Sequence, residues 1–138
     1  MKSTFPIQRR NAAFSLVEIL AATVLLGILA FIAIPNIVKM RDDAEVKLAI
    51  VRAEAINMSI GSYFAAQGRS SAATAWTTAA SGDTEGAARY ALIKPYMAFA
   101  PNAFTDYMPG SYTITLPTDI TTLSKVALAD PGGTAISY

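Results

Sequence analysis

The stretch RRNAAFSLVEILAATVLLGILAFIAIPN, residues 9–36, decides how the chain is read. It is an apolar helix with one acid, Glu18, at its entrance. From Ile19 to Val38 no residue is charged over 20 positions. A helix of that length spans about 30 Å, the thickness of a bilayer's hydrocarbon core. Lys2, Arg9 and Arg10 precede the run with no acid among them. Three readings fit this pattern. A cleaved secretory signal explains the basic start, but signal cores run only about 7–15 residues. A plain anchor explains the length but not Glu18, since an acid mid-span costs roughly 2.5–3.5 kcal/mol on insertion scales. The third reading cuts the chain between Ala13 and Phe14. A new α-amine then stands on Phe14, four residues before Glu18. Amine and carboxylate neutralise each other, within one chain or between neighbours. An ionisable group in a membrane segment is a functional hypothesis whose partner should be named.

The run Ala13-Phe14-Ser15-Leu16-Val17-Glu18 resembles the processing site of type IV prepilins and of the related type II secretion pseudopilins. The resemblance implies a leader, Met1 to Ala13, removed by a prepilin peptidase. It implies N-methylation of Phe14 by the same peptidase/methyltransferase system, and a role for Glu18 in assembly. Pro35 matches the helix-perturbing proline of that family and implies a kink. The residue before the cut is typically Gly in the family and is Ala13 here, which predicts cleavage at a reduced rate. The resemblance covers residues 1 to about 40 and the style of the helix to about 66. It says little about 67–138. It places the leader in the cytoplasm and the chain as a single pass in a bacterial inner membrane, then in a pilus or a periplasmic pseudopilus. Partners implied are the bilayer, an inner-membrane assembly platform and further pilin subunits.

Past Pro35 apolar residues fall at Val46, Ala49, Ile50, Ala53, Ile56, Ile60 and Phe64, which is helical spacing. One helix is expected from Phe14 to Gln67, with a membrane half at 14–38 and a soluble half at 39–67. Gly68 is its expected stop. The head, 68–138, opens with GRSSAATAWTTAASGD, read as a loop anchored by Trp76. A short helix over Ala87 to Ile93, with Asp83 or Thr84 near its start, is expected to end before Lys94, because the residue before Pro95 avoids helical angles. Strands are expected at Ser111 to Leu116, Leu123 to Ala129 and Thr134 to Tyr138, the last two joined by the turn Asp130-Pro131-Gly132-Gly133. The fold class is α+β, a long helix covering a three-stranded antiparallel sheet.

Cysteine and histidine are absent from the 138 residues, which removes disulfides, thiolate zinc sites and His acid–base chemistry. No phosphate loop, dinucleotide fingerprint or EF-hand pattern occurs. The head acids Asp83, Glu85, Asp106, Asp119 and Asp130 are scattered and read as surface acids rather than calcium ligands. No enzyme, cofactor or metal is therefore expected. Beyond residue 13 the chain carries eight basic and ten acidic side chains. Arg69, Arg89, Lys94 and Lys125 are too sparse to favour nucleic acid. The expected function is a structural subunit of a type IV pilus or secretion pseudopilus. A membrane-anchored binding module that does not polymerise and a DNA-uptake pseudopilin are the alternatives.

Overall fold

The computed structural model describes residues 14–83, 86–122 and 124–138. The leader with Ala13, and Thr84, Glu85 and Leu123, lie outside the described residues. The chain divides into two units, Met1–Met40 and Arg41–Tyr138. Helix α1, Leu16–Gln67, contributes to both.

In the first unit α1 is exposed throughout, from Leu16 to Met40, and between Glu18 and Lys39 it carries no charge on any face. It is long and apolar enough to cross a membrane. The helix continues through Pro35. Proline has no N–H to give the carbonyl of Phe31 four residues back, so one rung of the ladder is missing there.

In the second unit α1 becomes striped. Ala49, Ala53, Ile56, Ser59, Ile60 and Tyr63 are buried, at three- and four-residue steps. Small residues at 49 and 53 let other backbone approach closely, while Val46, Ile50 and Phe64 are half-buried. The Ser59 hydroxyl is buried at no polar cost, because it donates to the Ala55 carbonyl at 2.8 Å.

Residues 69–80 are not a loop but a second helix, α2, Arg69–Ala80. Its Ser and Thr residues, which read as turn formers, are interleaved with alanine, the best helix former. Thr74, Thr77 and Thr78 donate their hydroxyls back to the carbonyls of Ser70, Ala73 and Thr74 at 2.8–3.0 Å, so they do not compete with the helix. Gly68 alone separates α1 from α2, at a φ of 79° that a side chain would oppose. Ala72 and Trp76 share the buried face of α2. The Trp76 indole N–H donates to the Pro117 carbonyl at 2.8 Å, and Tyr63 packs 6.3 Å from its ring. Trp76 is thus the expected anchor, set on a helix.

Helix α3, Ala87–Ile93, follows, and a 3-10 turn over Lys94–Tyr96 extends it. The helix ends at the expected residue, but the reason differs. Lys94 keeps helical angles, φ −49° and ψ −41°, despite preceding Pro95, and the chain tightens instead of leaving helical space.

The sheet is an antiparallel meander of order β1-β2-β3. Its strands are β1, Thr113–Thr115, β2, Ala127–Ala129, and β3, Ala135–Ile136. Ile114 pairs with Leu128, and Leu128 with Ile136. The strands are shorter than their alternating patterns, because side chains take the backbone groups that would extend the ladder. Arg89 donates to the Leu116 carbonyl at 3.0 Å. The Asn57 amide oxygen accepts from Val126 N–H at 3.0 Å, and the Tyr138 hydroxyl donates to the Val126 carbonyl at 2.7 Å. The turn closes as expected. Asp130 N–H donates to Thr134 O, and Gly133, at φ 82°, donates to Asp130 O, both at 2.9 Å. Leu116, Ile120, Val126 and Leu128 share one core with the α1 stripe, Trp76, Tyr90 and Ile93.

Candidate processing and assembly site

Phe14 and Ser15 precede the first turn of α1 as non-helical residues. The Ser15 carbonyl accepts from Glu18 N–H at 3.0 Å and from Ile19 N–H at 3.2 Å, which starts the helix. Glu18 therefore lies in the first turn, where unpaired N–H groups favour a negative charge. Phe14 is exposed, and so are Glu18 and its neighbours Leu16, Val17, Ile19 and Leu20. In the uncut chain the Phe14 nitrogen belongs to a peptide bond. It becomes an amine only on cleavage after Ala13.

The linear pattern holds a second use for Glu18 that sequence reasoning missed. Ser15-Leu16-Val17-Glu18 has capping-box spacing, in which Ser and Glu satisfy the first N–H groups of a helix. The box accepts Gln as well as Glu, whereas pairing with an amine requires the charge. Glu18→Gln therefore separates the two roles.

Seven charged residues of the head, Arg69, Asp83, Arg89, Lys94, Asp119, Lys125 and Asp130, are engaged by partners within it. Arg89, buried on α3, is the centre of the head's polar interior. Its Nε donates to Asp83 Oδ2 at 3.3 Å and its Nη2 to the Asp83 carbonyl at 3.3 Å. Its Nη1 reaches the carbonyls of Leu116 and Pro117 at 3.0 and 3.2 Å. Both side chains of this ion pair are only 8% exposed. Burial alone pushes the Asp83 carboxyl up. The N–H groups of Arg89 and Ala88 and the guanidinium outweigh it and hold the group below its ordinary value. Lys125 bridges Glu54 at 3.0 Å and draws that carboxyl down. Arg69 donates to the Thr121 carbonyl and Lys94 to Asn102. The four basic residues weighed for nucleic acid are thus engaged within the head. Asp119 accepts from Thr121 N–H and Asp130 from Thr134 N–H, both at 2.7 Å, so each acid closes its own loop.

Residues 8–34 match the family described as the prokaryotic N-terminal methylation motif. The chain carries a prepilin-type signal. That signal is the cleavage and methylation site of type IV pilins and pseudopilins, and it supports a pilin- or pseudopilin-like precursor of a structural, non-catalytic family. It implies processing by a prepilin peptidase and assembly with other pilins. With the exposed apolar helix it points to membrane anchoring. The prepilin-type match includes Ala13, Phe14 and Glu18 and ends one residue before Pro35. No curated protein and no solved structure matches the chain.

Proposed function

We propose that the chain is a structural subunit of a type IV pilus or a type II secretion pseudopilus. It is cut between Ala13 and Phe14, methylated on Phe14, and built into a helical filament through α1. The observation that carries this reading is a prepilin-type signal that runs into a helix exposed from Leu16 to Met40 and free of charge from Ile19 to Val38. Such a surface needs lipid before assembly and copies of itself afterwards. Glu18 pairs with the Phe14 amine of a neighbouring copy. A copy out of register would leave a charge unpaired in an apolar bundle, which is strongly unfavourable, so the pair selects axial register. Pro35 provides the point at which the span bends or unwinds during assembly. The leader faces the cytoplasm across a bacterial inner membrane, and the assembly platform of that membrane is the machine partner.

The test is intact mass of the protein recovered from its native membrane, with electron microscopy of sheared surface and periplasmic fractions. A chain beginning at Phe14, one methyl group heavier than its sequence, together with filaments containing it, is the expected result. A chain beginning at Met1 rejects processing. A processed chain absent from every filament rejects the structural role.

A further inference from the structure

Arg52 and Asp106 line one hollow of about 400 Å³, walled otherwise by Phe99, Tyr107, Ala98 and Pro101. Their charges are opposite, yet guanidinium and carboxylate stand more than 4.0 Å apart. Neither belongs to an ion pair among the described residues. Arg52 is half-buried on α1 and fixed in place. Its Nη1 donates to the Tyr107 carbonyl, and its guanidinium lies 5.9 Å from the centre of the Tyr107 ring. The Tyr107 hydroxyl donates back to the Arg52 carbonyl at 3.4 Å. The carbonyl contact uses one corner of a planar fork of N–H donors, and the rest of the fork can take an anion. Asp106 is exposed in the 3-10 turn Phe104–Asp106, and its carboxylate accepts no hydrogen bond among the described residues. A hollow that holds two opposite charges apart is matched by a ligand carrying both.

The remaining wall is largely apolar, and one member of it is strained. Phe99 has a φ of 58°, the one positive φ outside glycine among the described residues, and its ring is wholly exposed. A bulky residue there is an outlier, and strain of this kind clusters at ligand clamps. An apolar ligand body would cover the ring. Phe99 also borders a second hollow with Lys94, but that hollow has no acid, and the Lys94 ammonium is taken by Asn102 at 2.9 Å.

We propose that the Arg52–Asp106 hollow binds a free α-amino acid with an apolar side chain. The ligand carboxylate meets the Arg52 fork, its ammonium meets Asp106, and its side chain lies against Phe99. The volume agrees, since ~150 Å³ holds a benzene ring and the hollow leaves room beyond that for the charged end. A carboxylate or an amine alone would leave one of the two site charges facing nothing. A wholly anionic ligand would be repelled by Asp106. The inference concerns the head by itself and is independent of processing and of filaments.

The test is a ligand-observed NMR titration of the full chain in detergent micelles, with three probes that share one body. L-Phenylalanine carries both charges, 3-phenylpropionate the carboxylate alone, and 2-phenylethylamine the ammonium alone. Micelles without protein give the background for each. L-Phenylalanine should bind about tenfold more tightly than either single-charge probe. Asp106→Asn, at an exposed position, should keep the melting temperature and bring L-phenylalanine down to the affinity of 3-phenylpropionate. Phe99→Gly suits the positive φ and should weaken all three probes alike. No saturable binding of L-phenylalanine, or equal affinity for the three probes, overturns the proposal. So does L-phenylalanine binding that either substitution leaves unchanged.

Discussion

Replacing Arg89 by Met tests whether the buried ion pair holds the head together. Methionine keeps the unbranched stem and removes the guanidinium. The Asp83 carboxylate, 8% exposed, is then left with backbone N–H groups as its donors. The Leu116 carbonyl loses the Arg89 donor, while the Pro117 carbonyl keeps the Trp76 indole. Breaking one side of a buried pair costs roughly 3–5 kcal/mol. The surviving contacts place this site at the low end, about 3 kcal/mol. With a urea slope of ~2 kcal/mol/M for a small domain, the midpoint falls by about 1.5 M. The assay is urea unfolding of the full chain in detergent micelles, followed by fluorescence. Trp76 is the only tryptophan, is fully buried and lies within the affected contacts, so the signal reports this head alone. Arg89→Met/Asp83→Leu removes both charges and should recover at least half of the loss. A midpoint change below about 0.3 M in the single variant would refute the reasoning. So would a double variant as unstable as the two single effects added.

The pH dependence follows from the same pair. Asp83 is held below its ordinary 3.8, so its stabilisation is present above that pH and is lost as pH falls through the lower folded value. Acid unfolding of Arg89→Met should show less of this loss, read by the same fluorescence. Glu18→Gln should leave helix content by circular dichroism unchanged while abolishing filaments, and normal filaments would show that the acid serves only as a cap. Gly86→Ala should lower head stability by about 1–2 kcal/mol, because φ is 79° and the new methyl would sit 3.0 Å from the Phe104 ring; an unchanged melting temperature would contradict the backbone description. Gly at position 13 in place of Ala13 should speed leader removal in a pulse-chase, and an unchanged rate would show that the small-residue difference has no kinetic weight.

Linear patterns made much of this molecule legible. The charge-free run, the three-and-four spacing beyond it, the alternation at Ser111–Leu116 and the Asp-Pro-Gly-Gly turn each carry their structure locally. The prepilin-type signal is legible for the same reason, since its residues 8–34 form one continuous stretch. What stayed hidden depends on partners far along the chain. Arg89 counts as a surface base until Leu116 and Pro117 bring their carbonyls to it. Strand lengths could not be read because Asn57 and Tyr138 claim the backbone of Val126. The α2 stretch misleads by composition, since its threonine hydroxyls turn inward to their own helix. Phe99 carries no glycine or asparagine signal for its left-handed backbone.

The polar contacts of α1 with the rest of the head have a mechanical consequence. Arg52 donates to the Tyr107 carbonyl, Glu54 holds Lys125, and Asn57 holds Val126. Ile60 and Tyr63 continue the seam in apolar form. These attachments are spaced along the helix axis. A tug along that axis loads them together, in shear, instead of peeling them apart one by one. The head is fastened to its helix as a lap joint is, and its resistance to sliding should exceed its resistance to being lifted off sideways.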